Sequence, residues 1–248
     1  MFQEKFTFKP EFAGLVGVER EQFILNGGGA ISPMAPQLLE QLAGDSRFGY
    51  ELSACQVETR VGPLSLSSLP LALAVAHDAL TAKGAALGLS FSDSPVAPKD
   101  MPLDVYPDPT GRYQRIVANL PQEVLEAACR VIGTHVHVGM PNLEEAVAAH
   151  DRAANFLDEL LAIGNRSNGA RLALYRVMAK NWRPPIYGSV DAFEKTAAEQ
   201  GFVENPRDCW HLIRISIHGT LEFRMFDGTG DLADICSWAA KAREAALG

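Results

Sequence analysis

The run Trp210-His-Leu-Ile-Arg-Ile-Ser-Ile-His-Gly-Thr-Leu-Glu-Phe-Arg-Met-Phe226 alternates apolar and polar residues on both sides of His218-Gly219. A β-strand repeats every two residues, so this pattern predicts a hairpin that turns at His218-Gly219. Ile213, Ile215 and Ile217 share one face of the first strand, and Arg214 and Ser216 the other. On the returning strand Glu222 and Arg224 lie together, with Phe223 opposite. If the two strands pair, Arg214 and Arg224 meet on one polar face.

The same alternation recurs in Gly17-Val-Glu-Arg-Glu21, Cys55-Gln-Val-Glu-Thr59 and Thr134-His-Val-His-Val138. These segments place Glu19 with Glu21, Gln56 with Glu58, and His135 with His137, while Val57 and Val136 point the other way. An ordinary solvated sheet face carries Lys, Thr and Ser. This one offers carboxylates, imidazoles and guanidinium groups, the chemistry of divalent metals and phosphate, and so points to an enzyme. Singly, each pair has a plain structural explanation: exposed strand carboxylates, a satisfied core histidine, an ion pair. Jointly they do not, because converging carboxylates repel unless a cation with oxygen ligands holds them.

Strands are expected at Val16 to Leu25, Tyr50 to Val61 and Gly133 to Gly139. Helices are expected at Pro33 to Gly44, Leu66 to Leu87, Pro121 to Cys129, Val190 to Gln200 and Asp231 to Leu247. Leu143 to Leu161 reads as one amphipathic helix, acidic early at Glu144 and Glu145. Ser90 to Thr110 holds several prolines and reads as a loop or lid. Strands separated by long helices, with a hairpin late in the chain, give an α+β fold rather than a doubly wound one. Residues 1 to 248 are expected to form one domain.

A chain of 248 residues with 47% hydrophobic content can bury a substantial core. A net charge of −8 argues against general nucleic-acid or anionic-membrane binding. The N-terminus lacks a signal-peptide pattern, and Pro70, His77, Asp78 and Lys83 interrupt the most apolar stretch, so a cytoplasmic protein with no membrane span is expected. Cys55, Cys129, Cys209 and Cys236 have no CxxC spacing and read as reduced thiols. No GxxxxGK[ST] or GxGxxG loop is present.

GVERE, an acidic Glu51 seven residues before Glu58, GTHVHVG and GTLEFR resemble, in order and character, the motifs of glutamate–cysteine ligase family 2. Arg112 to Val117 (RYQRIV) and the WRPPIYGSVDAFE segment also look like that family. The resemblance runs from about Gly17 to Asp227. It implies a largely antiparallel curved sheet with helices on its outer face, similar to the catalytic domain of glutamine synthetase. It further implies an ATP-dependent carboxylate–amine ligase acting through an acyl phosphate on amino-acid and amine substrates, typically at the γ-carboxylate of glutamate. Carried over by position, Glu19, Glu21, Glu51, Glu58, His135 and Glu222 would ligate Mg2+ or Mn2+. His137 would face the nucleotide, and Arg224 and Arg214 the transferring phosphoryl group. A homodimer follows from family analogy alone.

The chain departs from the family in two places. Asn165-Arg-Ser-Asn-Gly-Ala-Arg-Leu-Ala-Leu-Tyr-Arg176 stands where the family has a longer loop rich in Trp, Gly and Asp, and Leu212 where an acidic residue is common. Cysteine is therefore not assumed as the amine substrate. Two other classes stay open: a metal-dependent amide hydrolase, and a non-catalytic binding protein with a ligase-like sheet.

Overall fold

The computed structural model describes residues 1–248. Chain order runs β1 (Val16–Leu25), α1 (Ala35–Gln41), β2 (Phe48–Tyr50), β3 (Gln56–Leu64), α2 (Leu69–Ala86), β4 (Ser90–Ser92), α3 (Arg112–Val117), α4 (Gln122–Cys129), β5 (Gly133–Gly139) and α5 (Leu143–Ala154). It continues with α6 (Leu157–Gly164), α7 (Ala170–Met178), α8 (Val190–Gln200), β6 (Ile213–Ser216), β7 (Thr220–Asp227) and α9 (Leu232–Leu247). The strands form one antiparallel sheet in the order β2-β3-β1-β5-β7-β6, with β4 pairing to the far end of β1. The α+β expectation is met.

Alternation decides which face is which. Val16, Val18, Val136, Val138, Leu221, Phe223, Ile213 and Ile215 bury their side chains in the main core with residues of α2, α5, α6 and α9. Burying a Val, Leu, Ile or Phe side chain contributes about 1.5–3 kcal/mol, so a one-residue register slip in any central strand would forfeit several such terms. That energy fixes the register, and the register aims the polar residues at the opposite face. Val57 joins a smaller core with Ile24, Leu38, Phe48 and Leu80. At its β4 end the polar face closes over Phe23, which packs with Cys55, Met101, Cys129 and Ile132.

Several local expectations need correction. Leu143 to Leu161 is two helices, broken at Asn155-Phe156, where the Asn155 amide donates to the Asp151 carbonyl at 2.9 Å and competes with the helical backbone. Tyr50 to Val61 is not one strand: the chain loops out between β2 and β3, carrying Glu51 off the ladder. β3 also continues past Gly62-Pro63, because β2 pairs only as far as Thr59 and leaves no outer neighbour for Pro63 to disturb. Ser90 to Thr110 contains the short strand β4, too brief to show a period.

His211, just before β6, is almost fully buried, its Nε2–H donating to the Gln200 amide oxygen at 2.9 Å and its Nδ1 accepting from the Tyr187 hydroxyl at 3.2 Å. Burial pushes its pKa down to about 4. Above pH 6.5 the ring is neutral in both folded and unfolded chains, and its contribution to stability is complete. As pH falls from 6.5 towards 4 the unfolded chain takes up a proton that the folded chain refuses, so stability declines across that window. Urea unfolding is expected to show a loss of about 3 kcal/mol over this range from His211, which His211→Gln removes.

Candidate active site

The ladder aligns the polar residues in a row. Glu58 pairs with Glu21, Glu19 with His135, and His137 with Glu222, which in turn faces Arg214. β7 carries one extra residue opposite β5 around Arg224 and Met225, and Arg224 stays on the face of Glu222, which lies two residues before it. Glu19, Glu21, Glu51, Glu58, His135, His137, Arg214, Glu222 and Arg224 all line one cavity of about 270 Å³. All nine positions read from the motifs therefore meet, Glu51 by way of the loop after β2. Gln56 does not join them; its amide donates to the carbonyls of Cys129 and Val131 at 3.0 and 2.9 Å.

Eight of the nine residues fall into three groups, and His137 stands beside Glu19 at 3.4 Å. At the centre, His135 Nδ1 lies 3.2 Å from Glu19 and 4.0 Å from Glu222, and its Nε2 lies 3.7 Å from Glu21. Glu19, His135 and Glu222 each offer a donor atom within 4.8 Å of the others. To one side, Glu51 and Glu58 line the cavity together, and the charge of Glu51 raises the pKa of both Glu21 and Glu58. On the other, Arg214 donates to both oxygens of Glu222, at 2.8 and 3.1 Å, and Arg224 donates to the same carboxylate.

Charge follows this division. Burial alone would raise every one of these carboxyl pKa values. For Glu222 the two guanidinium groups overcome burial and hold it well below the usual range. For Glu19 burial is outweighed by His137 and His135, and the same pairing raises His137 against its own burial. For Glu58 the half-exposed Arg60, 3.2 Å away, does not offset burial and the charges of Glu19 and Glu51, which push it well above the usual carboxylate range. Glu21 is raised mainly by burial, although the Gly133 amide donates to it at 2.6 Å. Among the nine, two buried atoms remain without hydrogen-bond partners, His137 Nε2 and Arg224 Nε. Carboxylate oxygens, an imidazole and an excess of negative charge fit a divalent cation of the Mg2+ or Mn2+ type. The thiols do not compete for the role: burial raises Cys55, Cys129 and Cys209 to about 11.

Sequence reading missed several members of this site. Arg171, on α7, is nearly fully buried without a carboxylate in contact, and donates twice to the Arg224 carbonyl at 3.2 Å. Its guanidinium occupies the space left by the absent side chain of Gly133, where a Cβ would overlap it. One glycine thus admits Arg171, which pins the backbone of Arg224, and hands its own N–H to Glu21. An Arg171–Tyr175 pair four residues apart on a helical face was the available signal, hidden in a stretch read as a shortened loop. Arg112, Tyr113, Ile116, Arg207, Trp210 and His218 also line the cavity. Trp210 and His218 stand at the start and the turn of the hairpin run, and Arg112, Tyr113 and Ile116 in RYQRIV. Alternation assigns a face only to residues within a strand, so it gave none of these a role.

Residues 3–245 match the family model described as glutamate-cysteine ligase family 2. The glutamate–cysteine ligase of Natronomonas pharaonis is 27% identical over 239 residues, covering 88% of this chain and 65% of that protein. The glutamate–cysteine ligase of Halobacterium salinarum is 28% identical over 244 residues, covering 89% and 66%. The chain therefore spans about two thirds of the length of these relatives. In fold, it is similar to a bifunctional glutathione synthetase from Pasteurella multocida, with a TM-score of 0.67 at 15% identity over 96% of this chain and 40% of that one.

The raised pKa of Glu58 has a consequence for stability. A carboxyl held above its unfolded pKa keeps a proton that the unfolded chain has already lost, so stability falls as pH rises through the folded pKa. In metal-free buffer at pH 8, Glu58→Gln is expected to raise the thermal midpoint by a few degrees, about 1 kcal/mol for a chain of this size.

Proposed function

Because the chain belongs to glutamate–cysteine ligase family 2, we propose that it is an ATP-dependent ligase requiring Mg2+ or Mn2+ that joins an amino-acid carboxylate to an amine. The γ-carboxylate of glutamate is the proposed acyl donor. The observation that supports this most is the neighbourhood of two guanidinium groups and a cation-type donor set in one cavity, because phosphoryl transfer needs positioning and charge neutralisation rather than a nucleophilic side chain.

In the proposed reaction a substrate carboxylate oxygen attacks the γ-phosphorus of ATP. The bond from that phosphorus to the β,γ-bridging oxygen breaks, and ADP leaves with the electron pair. The amine nitrogen then attacks the acyl carbon, the carbon–oxygen bond to phosphate breaks, and the nitrogen loses one proton as phosphate departs. Arg224 and Arg214 are assigned to the oxygens of the transferring group, where bidentate guanidinium geometry suits them. Glu19, Glu21, His135 and Glu222 are assigned to hold a cation, and Glu51 with Glu58 to contribute to a second position. A bound cation would offset charge on the phosphate oxygens. His137, fixed by the Thr220 hydroxyl at 2.8 Å, is assigned to the nucleotide side. An amide hydrolase would use the carboxylates and imidazoles but leave both arginines idle.

The same reading places the protein in the cytoplasm, where ATP is available and its four free thiols stay reduced. No helix is long and apolar enough to cross a membrane. It also treats residues 1 to 248 as one ligase domain, working as a homodimer, which sedimentation would test.

Glu19→Gln is a cleaner probe than a change at Glu222. Glu19 has no arginine partner, whereas losing the Glu222 charge would strand two buried guanidinium groups at a cost of about 3–5 kcal/mol. Phosphate release from Mg2+-ATP, L-glutamate and a panel of amines is expected in the wild type. Glu19→Gln should lower it at least about a hundredfold, as removing a group that stabilises transition-state charge does, while the variant still unfolds in one cooperative transition. Full activity in the variant would refute the assignment.

A further inference from the structure

The carboxylates and the Glu222 clamp fill only part of the cavity. The remainder is built from two segments of different character, α3 and the stretch from Pro206 to Trp210 that leads into β6. On α3, Arg112 and Ile116 lie one helical turn apart and line the cavity together, with Tyr113 between them. The Arg112 guanidinium sits 5.5 Å from the centre of the Tyr113 ring, and neither it nor Arg207 makes an ion pair with any carboxylate. Pro206, Arg207 and Trp210 supply the matching set from the other segment. Each segment therefore brings one free guanidinium beside one apolar surface.

The apolar part is unusually open for residues of its kind. Trp210 is 43% exposed and Ile116 38% exposed, although both border a concave site. Trp210 is nonetheless held in place: Tyr175 packs against it edge-on at 6.3 Å and donates its hydroxyl to the Trp210 carbonyl at 2.9 Å. Its ring also lies 5.9 Å from the Arg224 guanidinium. A group resting on Trp210 thus begins where the phosphoryl-handling arginine ends. A small polar amine such as ammonia would leave this wall wet, and glutamate has no apolar body to cover it.

We propose that this half of the cavity is an amine subsite for a hydrophobic α-amino acid. Its carboxylate is taken by Arg112 and Arg207, and its side chain is laid against Trp210, Ile116 and Tyr113. The inference rests on the ligase reading for its role in catalysis, in which the α-amine of this amino acid displaces phosphate from the activated carboxylate. The binding geometry stands apart from that reading. Tyr113 joins the stack of Tyr50 on Tyr106, and Asp108 ties Tyr50 to the N-terminal turn of α3 through the backbone amides of Arg112 and Tyr113. The wall is preformed, so the side chain that meets it loses little in rearrangement.

Two measurements separate the subsite from the ligase reading. In phosphate release with Mg2+-ATP and L-glutamate, L-leucine and L-phenylalanine are expected to exceed glycine and 3-methylbutylamine (leucine without its carboxylate) by about tenfold or more in kcat/KM. Trp210→Ala should cut the preference for phenylalanine over glycine, and Arg112→Met the preference for leucine over 3-methylbutylamine. Equal rates with glycine, or a preference for L-cysteine untouched by Trp210→Ala, would overturn the proposal while leaving the ligase reading intact. Calorimetric titration of L-phenylalanine into the protein reads the subsite without turnover. Saturable binding that Trp210→Ala weakens about tenfold supports it, and no saturable binding overturns it. Phenylalanine binding without phosphate release from any amine would refute the ligase reading and leave the subsite standing.

Discussion

Five carboxylates, Glu19, Glu21, Glu51, Glu58 and Glu222, face one cavity from four segments of a single sheet and its loops. Their mutual repulsion is the constraint around which the other features are arranged. Where the protein supplies its own cations the repulsion is settled: Arg214 and Arg224 hold Glu222 down, and the imidazoles of His135 and His137 hold Glu19 down. At Glu58 the half-exposed Arg60 does not offset burial and the neighbouring charges, and Glu51 has no ion-pair partner, so both carboxyl groups are held above their usual range. The apolar face of the sheet meets the cost, since the register that buries Val18, Val136 and Phe223 is the one that brings the carboxylates together. Fold stability and site strain are thus two sides of the same strands.

The two arginines reach Glu222 by different routes. Arg214 faces it from β6, and Arg224 follows it two residues along β7 on the same face, with its backbone carbonyl pinned by Arg171. Arg171 is itself a buried cation without an ion-pair partner, a costly arrangement that stability alone does not explain. It makes sense as a fastening for the backbone beneath Arg224, admitted by Gly133, which also fastens Glu21. The two outlying members of the site are therefore tied through one glycine.

What alternation governs could be read from the residues, and what it does not govern could not. β1 and β5 have the expected bounds because their apolar residues pack one face against the helices over a whole strand. α8 was equally legible, since Ser189 caps it and Gly201 ends it in a left-handed turn. β4 spans three residues and takes its place from the free end of β1 rather than from any pattern of its own. The helix break at Asn155 depends on one side-chain hydrogen bond, and Glu51 reaches the site through an irregular loop. At the site, the residues of the central strands were visible in the period. Arg171, Arg112 and Trp210 were not, because helices and irregular segments carry them and tertiary packing alone brings them to the cavity.

The central claim is that the carboxylate face is built to hold a divalent cation together with a nucleotide. Calorimetric titration of Mn2+ into the protein, with and without ADP, tests it most directly. Saturable binding that tightens when ADP is present, and that is lost on replacing His135 with a residue offering no ligand atom, is the predicted result. Absence of saturable Mn2+ binding under both conditions, or binding that survives the loss of His135 unchanged, would contradict it.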